Sequence, residues 1–533
     1  MTGSKSVILY SAIILYLLIL SCANGLPELN PYKEASSAPG TEWKPSEKEL
    51  SKSFQLQKLP EIPEELKPDS KKLALSQLVD VALINNPTTQ VAWQDARAAA
   101  AAWAEARGLY YPQIAGTAQY AYAKGGGSAL GTTPYNEQYA DVGLTLNYLL
   151  FDFGGREAQI NAARLALINA NWNQNQAIQN VLQAVAVSFY DFIGSKALVI
   201  ADEASVKDAQ TSLDAAKLRL EAGVGTLPDV LQAQAQLSQV QLNLVDARGK
   251  VEINKGLLAT SVGWPANTAF DVNGNLNELP VTAVSDSVDR LIALAMKNRP
   301  DLAAVQATVR QREALLWEAK SQFFPEIAAT AQILRWWIRP EGNSSDFFTD
   351  YLVGLQIQMP IFQGFQILNS VRQAKAQLES AKAALELQEQ IVINQVWNAY
   401  YNFTTAVQSL QAADSLVASA QESYNASLAR FKSGVGDIVE LLNAQATLAQ
   451  ARSEQVQSKT AIFTSYADLI NAIGTDLPTP GMPRQSSPAE EGGKKQDERT
   501  SAGERVSSSR QSESSGDTPE ESRAAGAAFQ SSC

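Results

Sequence analysis

The sequence has 533 residues, of which 45% are hydrophobic and only 18% charged, so it contains enough apolar material for a large core. Its formal net charge of −12 disfavours a partner with a phosphate backbone, and we expect no nucleic acid. Histidine, the commonest general base and metal ligand, is absent, and the only two cysteines, Cys22 and Cys533, lie far apart. We therefore expect no catalytic residue, no metal site and no cofactor.

The N-terminus reads as an export signal. Residues 7–20 form an apolar run that is short for a membrane span but suits a secretory signal. One interpretation is a plain signal peptide cut after Ala23. The other is a lipoprotein signal over residues 1–21, in which Ile19-Leu20-Ser21-Cys22 resembles a lipobox and Cys22 becomes the acylated, palmitate-bearing first residue. Residues 22–70, rich in Pro, Ser, Glu and Lys, then form an extended, lipidated arm.

The next segment, residues 71–264, changes its periodicity twice. Residues 72–109 have a helical composition that Pro112 ends, and two stretches of alternating apolar and polar residues follow, around Ile114 and Val142. After Gly154-Gly155 comes a proline-free run of about 69 residues, roughly 100 Å long if helical. A Gly-Val-Gly sequence ends that run, and a helix of about 36 residues extends to residue 262.

The second half repeats this order over residues 287–476, after a linker at 265–286 that we place at an equatorial region. RLEAGVGTLPDVLQAQAQL at 219–237 is matched by RFKSGVGDIVELLNAQATL at 430–448, an offset of 211 residues. The sequence therefore predicts a tandem duplication, each copy with a helix, two strands, a long helix and a shorter helix. Residues 477–533 are polar and too poor in apolar residues to fold, so we predict a disordered tail.

The helix lengths predict paired coils. Each long helix equals the two shorter helices of its copy laid end to end, so the shorter ones can run antiparallel alongside it. An apolar seam with heptad spacing supports the pairing and consists of Leu231, Ala235, Ser238, Leu242 and Val245, repeated at Leu442, Ala446, Ala449, Ser453 and Val456. Without the strands, this pattern would equally suit an ordinary coiled-coil rod.

The strands have the character of transmembrane β-strands. Each is about nine to eleven residues long, with one apolar and one small or polar face, and Arg335 and Arg339 are the main exceptions on the apolar faces. No apolar run after the signal is long enough for a membrane helix. Four strands cannot close a barrel, and open edges are costly in lipid, so closure requires several copies of the chain. The alternative is a set of soluble hairpins packed on the helices.

These motifs resemble a known family. The duplicated plan, the strand exits at Phe151-Asp152-Phe153-Gly154-Gly155 and at residues 360–364, and the paired Gly-Val-Gly turns are similar to TolC-type outer-membrane efflux proteins. The resemblance covers about residues 72–476, and Cys22 is similar to the OprM-like lipoprotein branch. It implies a homotrimer whose strands, four per chain, form one transmembrane β-barrel in contact with outer-membrane lipid, continued by a long α-helical barrel through the periplasm.

The same resemblance assigns a function. It implies an exit duct in the outer membrane of a Gram-negative bacterium, lipid-anchored and passive, in a tripartite efflux or type I secretion system. A periplasmic adaptor (membrane fusion) protein and an inner-membrane pump would supply the substrate. A soluble periplasmic coiled-coil scaffold is the alternative, and a lipoprotein hydrolase lacks any recognisable catalytic constellation. The sequence does not identify the transported substrate.

The paired turns are the candidate site. Glycine suits a tight reversal between antiparallel helices, and that role alone would explain the spacing. The resemblance also implies that the adaptor docks at this tip, on a set of residues from both turns: Arg219, Gly223, Val224, Gly225, Thr226, Arg430, Gly434, Val435 and Gly436.

Two acidic residues follow the turns at equivalent positions. Asp229 and Glu440 begin the next helices, where a carboxylate also stabilises the helix N-terminus. The resemblance implies that such acids form a ring that constricts the pore and favours cations. Asn443 and Gln232 stand where some members carry a second acid, so this ring should be weaker.

Overall fold

The computed structural model describes residues 72–125, 135–276, 287–340 and 346–475. Cys22, the signal segment, the arm and the tail lie outside this range. The chain divides into a unit of residues 1–476 and one of 477–533, and only the first contains described residues. The elements of its first half, in chain order, are α1 (Leu75–Asn85), α2 (Pro87–Arg107), β1 (Gln113–Gly125), β2 (Tyr135–Phe151), α3 (Gly155–Glu221) and α4 (Leu227–Val262).

The second half has the same element order with closely matched lengths. Its elements are α5 (Val288–Asn298), α6 (Pro300–Ser321), β3 (Glu326–Pro340), β4 (Asp346–Gln358), α7 (Gln366–Lys432) and α8 (Ile438–Ile473). The long helices α3 and α7 have 67 residues each, and α4 and α8 have 36 each. At 1.5 Å per residue, α3 and α7 are about 100 Å long, as the sequence predicts.

The prediction of one continuous helix before each strand pair is wrong. Asn86 and Arg299 have extended backbones, with ψ of 124° and 125°, and divide α1 from α2 and α5 from α6. The cause is the following proline, Pro87 or Pro300, which disfavours helical geometry in the residue before it. Both breaks therefore follow from a signal that was present in the sequence.

Each break contacts the end of the last helix of its own half. In the first half, the Asn86 amide donates to the Ser261 carbonyl at 2.8 Å. In the second, the Arg299 guanidinium donates to the Ala472 carbonyl at 3.1 Å and binds the Asp301 carboxylate at 2.9 and 2.6 Å. Burial raises the pKa of Asp301, but the hydrogen bonds and charge of Arg299 outweigh it, so the pKa lies below its usual range.

The strands form one antiparallel sheet in the order β1-β2-β3-β4. They have 13, 17, 15 and 13 residues, longer than the nine to eleven predicted, because backbone pairing continues past the apolar stretch into polar sequence. The register places Ile114 opposite Leu146 and Leu144 opposite Ile333, so the apolar sides share one face, which we call the apolar face. The opposite face carries polar residues such as Gln119, and we call it the polar face.

The helices lie side by side in two layers, one near the strands and one farther from them. In both layers the helices of the first half come before those of the second half, as the strands do in the sheet. In the half nearest the strands, α2 packs on α3, α3 on α6 and α6 on α7; farther away the order is α4, α3, α8, α7. Among the described elements, each layer therefore ends in an open edge, formed by α2 or α4 on one side and by α7 on the other. Within α3, one 18-residue stretch is long and apolar enough to cross a membrane by composition alone, contrary to the sequence prediction, and 39% of it is buried against other helices.

The predicted heptad seam is wrong in its position on α4. The residues buried against α3 include Ala233, Leu237 and Val240. Leu231 and Leu242 from the predicted seam are instead 59% and 61% exposed, because they lie on the other side of the helix. On α8, the residues buried in the same core cluster include Ile438, Leu441, Ala444, Leu448 and Ala451, whereas Ala446 from the predicted seam is exposed.

Candidate functional site: the paired helical turns

The two turns that reverse the chain after the long helices have matching backbones. Turn 1 comprises residues 222–226 and turn 2 residues 433–437. In turn 1, Val224 and Gly225 both donate to the Arg219 carbonyl, at 3.0 and 2.9 Å; in turn 2, the equivalent residues donate to the Arg430 carbonyl at the same distances. These bonds satisfy a carbonyl at the end of each long helix.

Glycine is required at two positions of each turn for different reasons. The first glycine has a positive φ, +75° at Gly223 and +84° at Gly434, which is strained for other residues. The second glycine lies against the preceding helix. A Cβ on Gly225 or Gly436 would lie 2.9 Å from a backbone nitrogen. The backbone of the turns therefore requires glycine at these positions, whether or not the turns have a further function.

Arg219 joins the two turns. Its guanidinium donates to the carbonyls of Phe431 at 2.8 Å, Gly436 at 3.3 Å and Val224 at 3.4 Å. It also lies over the Phe431 ring, 4.5 Å from the centroid, and that ring is 1% exposed. Turn 1 and turn 2 thus lie side by side and share one buried cation–π contact.

Arg430, the sequence equivalent of Arg219, has a different environment. It is exposed and binds the Glu440 carboxylate at 3.0 Å. Both side chains of this ion pair are about half exposed, so water screens the pair and its contribution to stability is small. Glu440 lies in the first turn of α8, which is capped instead by the Asp437 side chain accepting from Val439.

Asp229 caps its own helix. Its carboxylate accepts from the Thr226 backbone at 3.1 Å, while the Thr226 hydroxyl accepts from the Asp229 backbone at 3.4 Å, which together form a capping box. Asp229 and Glu440 are thus equivalent in sequence but bind different partners. The remaining turn residues are largely exposed, and the most apolar of them, Val224 and Val435, are 67% and 75% exposed.

A polar cluster joins three helices about 21 Å from turn 1, judged from the rise of the 14 residues between Asp208 and the start of the turn. Arg452 on α8 donates to the Asp208 carboxylate at 2.7 Å and to Gln421 at 2.8 Å, and the Tyr424 hydroxyl donates to the Asp208 carbonyl at 3.0 Å. Burial raises the pKa of Tyr424. Sequence reasoning missed this cluster because its members come from α3, α7 and α8.

Among the residues that the structure describes, no three histidine, cysteine, aspartate or glutamate side chains are grouped so that they could hold a metal ion. The candidate site therefore consists of backbone turns, two arginines with different partners, two acids and two exposed valines.

Comparison with known proteins gives a consistent picture. The model of the family described as "Outer membrane efflux protein" matches residues 78–263 and 291–475. The chain is 25% identical to Protein CyaE of Bordetella pertussis over 410 residues, covering 75% of this chain and 84% of that protein. It is also 25% identical to Outer membrane protein TolC of Escherichia coli over 419 residues, covering 75% and 82%.

Solved structures share the fold. The outer-membrane channel OprN superposes with a TM-score of 0.69 at 19% identity, covering 75% of this chain and 90% of that one. The outer membrane protein VceC from Vibrio cholerae gives a TM-score of 0.65 at 19% identity, covering 75% and 96%.

Proposed function

This chain belongs to the outer membrane efflux protein family, and we propose that three copies of it form the passive exit duct of a tripartite efflux or type I secretion system. In this proposal the duct does no chemistry. It receives substrate from a periplasmic adaptor and an inner-membrane pump and releases it outside the cell. Membership of the family argues against the soluble scaffold that the helices alone would permit.

The main support for the trimer proposal comes from the two edge strands of the sheet. Within the part of the chain that the structure describes, β1 and β4 each pair on one side only. An unpaired edge in hydrocarbon leaves backbone groups unsatisfied, at several kcal/mol each, so β4 of one copy must pair with β1 of the next. Three copies would give a barrel of about twelve strands. The apolar face of the sheet would form the outside of this barrel and contact outer-membrane lipid.

The helices support the same arrangement, because their open edges expose apolar side chains. On α4 these include Leu242 and Val245, which are 61% and 63% exposed, and on α7 Leu387 and Trp397, which are 58% and 46% exposed. Exposed apolar patches of this kind are typical of protein interfaces. Packing α7 of one copy against α2 and α4 of the next would bury both sets and close a helical barrel beneath the strands.

The turns lie at the ends of helices about 100 Å long, which places them at the periplasmic tip in this proposal. We assign adaptor docking to the exposed parts of turns 1 and 2, with Val224 and Val435 as apolar contacts. Arg219 would act indirectly by holding the two turns together. Anchoring of the chain through an acylated Cys22 remains part of the proposal and concerns a residue outside the described range.

Pore constriction is assigned to the acids after the turns. Threefold symmetry would repeat Glu440 around the axis, and its half-exposed ion pair with Arg430 leaves part of the carboxylate accessible to passing ions. For Asp229 the capping box supports the structural role more directly than the pore role.

The test is single-channel conductance of the detergent-extracted full chain in planar bilayers. We expect discrete channels from a trimer, and Glu440→Gln with Asp229→Asn should lower cation selectivity. The matched control is Glu221→Gln, which removes an exposed acid near turn 1 without altering the first helical turn of α4 or of α8. Equal cation selectivity in the wild type and all variants would show that both acids have structural roles only. A monomer without channel activity would contradict the duct itself.

Docking needs a separate test in cells. A photo-crosslinking residue at Val224 should capture the adaptor, whereas the same residue at Ile200, which is 69% exposed in the middle of α3, should not. Equal capture at both positions, or capture only at Ile200, would contradict docking at the tip.

A further inference from the structure

Asp141 is a buried acid in the middle of the sheet, and no described residue forms an ion pair with it. It lies on β2, which is paired on both sides, and is 8% exposed. Among the described residues, its Oδ1 has no hydrogen-bond partner. A carboxylate removed from water and left unpaired is strongly unfavourable, so such a group indicates a missing positive partner.

The basic residues of the strands cannot supply that partner. The register sets Arg335 opposite Val142, Arg339 opposite Gln138 and Lys124 opposite Asn136, so all three belong to the apolar face. Asp141 is opposite Gln119 and Trp336, on the polar face. Because side chains on a strand alternate between faces, the sheet itself separates these cations from the carboxylate.

Aromatic residues lie on the same face as Asp141 and close to it in the strand register. Trp336 is its direct cross-strand neighbour on β3. The Trp336 ring stacks on Phe348 at 6.2 Å with an interplanar angle of 16°, and Tyr139 approaches it at 6.2 Å. The buried indole nitrogen of Trp336 also has no partner among the described residues. We call this set of side chains on the polar face the aromatic nest.

The next residues on the polar face lie beside the aromatic nest, on the side nearer the helices. Gly143 follows Asp141 on the polar face, and a Cβ there would lie 2.3 Å from Cδ2 of Leu334. Glycine therefore lets the Leu334 side chain lie across β2 next to Asp141. Among the described residues, the cross-strand neighbours of the carboxylate are therefore Trp336 on one side and a single amide, Gln119, on the other, and no cluster of acidic residues surrounds it.

A carboxylate among aromatic faces matches an organic ammonium ion better than a metal ion. Small inorganic cations need several oxygen ligands to replace their water, whereas alkyl and aryl ammonium ions are weakly hydrated and bind aromatic faces. We propose that Asp141, Trp336 and Tyr139 form a binding site for organic ammonium ions inside the duct. The site rests on the proposed function, since only a closed barrel makes the polar face the wall of a passage.

The dimensions suit a site of passage. With strands about 4.8 Å apart and tilted by about 40°, a barrel of about twelve strands has a backbone radius of about 12 Å. Side chains reaching about 6 Å inward leave an opening roughly 12 Å wide, into which three copies of the nest face. Six residues separate the start of β1 from the level of the nest, which is about 20 Å along the strand; with the tilt, a cation crossing the barrel meets the nest about 15 Å along the axis.

The experiment uses the full chain in planar bilayers with benzyltrimethylammonium, a permanently charged aromatic probe. We expect concentration-dependent block of the single-channel current. Asp141→Asn should raise the apparent dissociation constant about tenfold, with the block of each variant measured relative to its own unblocked current. Trp336→Leu should abolish the preference for this probe over tetramethylammonium, whereas Trp336→Phe should keep most of it.

Asp350→Asn is the matched control, because Asp350 is an exposed carboxylate on the same face, opposite Leu334 on β4. It should change the block less than twofold. Equal effects of Asp141→Asn and Asp350→Asn would show only a general lumen charge and overturn the site. Wild-type channels that the probe does not block would also overturn it, while leaving the duct intact. Absence of wild-type channels would instead refute the proposed function.

Discussion

Replacing Arg299 by methionine tests the junction between α5, α6 and the end of α8. Arg299 is 7% exposed, and its guanidinium makes two bonds to Asp301 and one to the Ala472 carbonyl. Methionine keeps an unbranched apolar stem, although a shorter one, and removes all three bonds. Asp301 then keeps only the Gln388 amide at 2.9 Å and the Leu302 backbone at 2.9 Å.

The expected loss is about 2–3 kcal/mol of unfolding free energy. Breaking a fully buried pair costs about 3–5 kcal/mol. The Asp301 side chain is 21% exposed, so water recovers part of that cost. The matched variant is Asn86→Ala in the first half, which removes a neutral amide bond and a helix cap and should cost about 1–2 kcal/mol.

The pH dependence distinguishes an ionic from a packing effect. The pKa of Asp301 is lowered in the folded protein. Its contribution is therefore present above the ordinary value of 3.8 and is lost as the pH falls through the folded pKa. The gap between wild type and Arg299→Met should shrink from pH 7 to pH 3, whereas the Asn86→Ala gap should not.

Urea unfolding of the detergent-solubilised chain, followed by helical circular dichroism, measures these differences when the slopes are equal. A loss below about 0.5 kcal/mol for Arg299→Met would refute the reasoning about the buried pair, since that is the range of an ordinary surface substitution. A pH-independent gap would refute the assignment to Asp301.

Three further predictions concern other parts of the fold. Gly263→Ala should cost more stability in urea unfolding than Gly223→Ala, because both have positive φ but only at Gly263 would a Cβ meet a backbone carbonyl, at 2.8 Å; equal costs would contradict this. Burial and then the Asp468 carboxylate raise the pKa of Asp191, so ionisation disfavours folding above that pKa. Asp191→Asn should therefore raise the urea midpoint at pH 7 and lose the gain in acid; a gain that persists in acid would rule out ionisation as the cause. Arg219→Met should speed amide hydrogen exchange in both turns, and faster exchange in turn 1 alone would contradict the bridging role.

Much of the fold could be predicted because its signals are local and occur twice. The lengths of α3 and α7 follow from proline-free runs, and the faces of the strands follow from alternation. The seam on α4 was misplaced for a physical reason. Leu237 and Leu242 belong to two apolar sides of the same helix, and only contact with α3 shows which side is buried within the chain. A heptad pattern alone cannot distinguish them.

The candidate site was predictable at the level of the backbone only. Repetition identifies the glycines of both turns, because their φ angles and close contacts depend on the chain itself. It also makes Arg219 and Arg430 look equivalent, which they are not. Asp141 was missed altogether, since an acid on a polar strand face looks solvated until the register sets Trp336 beside it.

The two halves differ where side chains, rather than backbone, make the contact. Residue 220 is leucine and its counterpart is Phe431, whose ring provides a face for a guanidinium. Arg219 therefore turns inward across both turns, which leaves Arg430 outside to bind Glu440. At the junctions, a neutral amide at Asn86 corresponds to the ion pair of Arg299. Because the turn and junction backbones are shared, such differences cost the fold little. In the proposed trimer, they would give the tip of the duct two distinct surfaces.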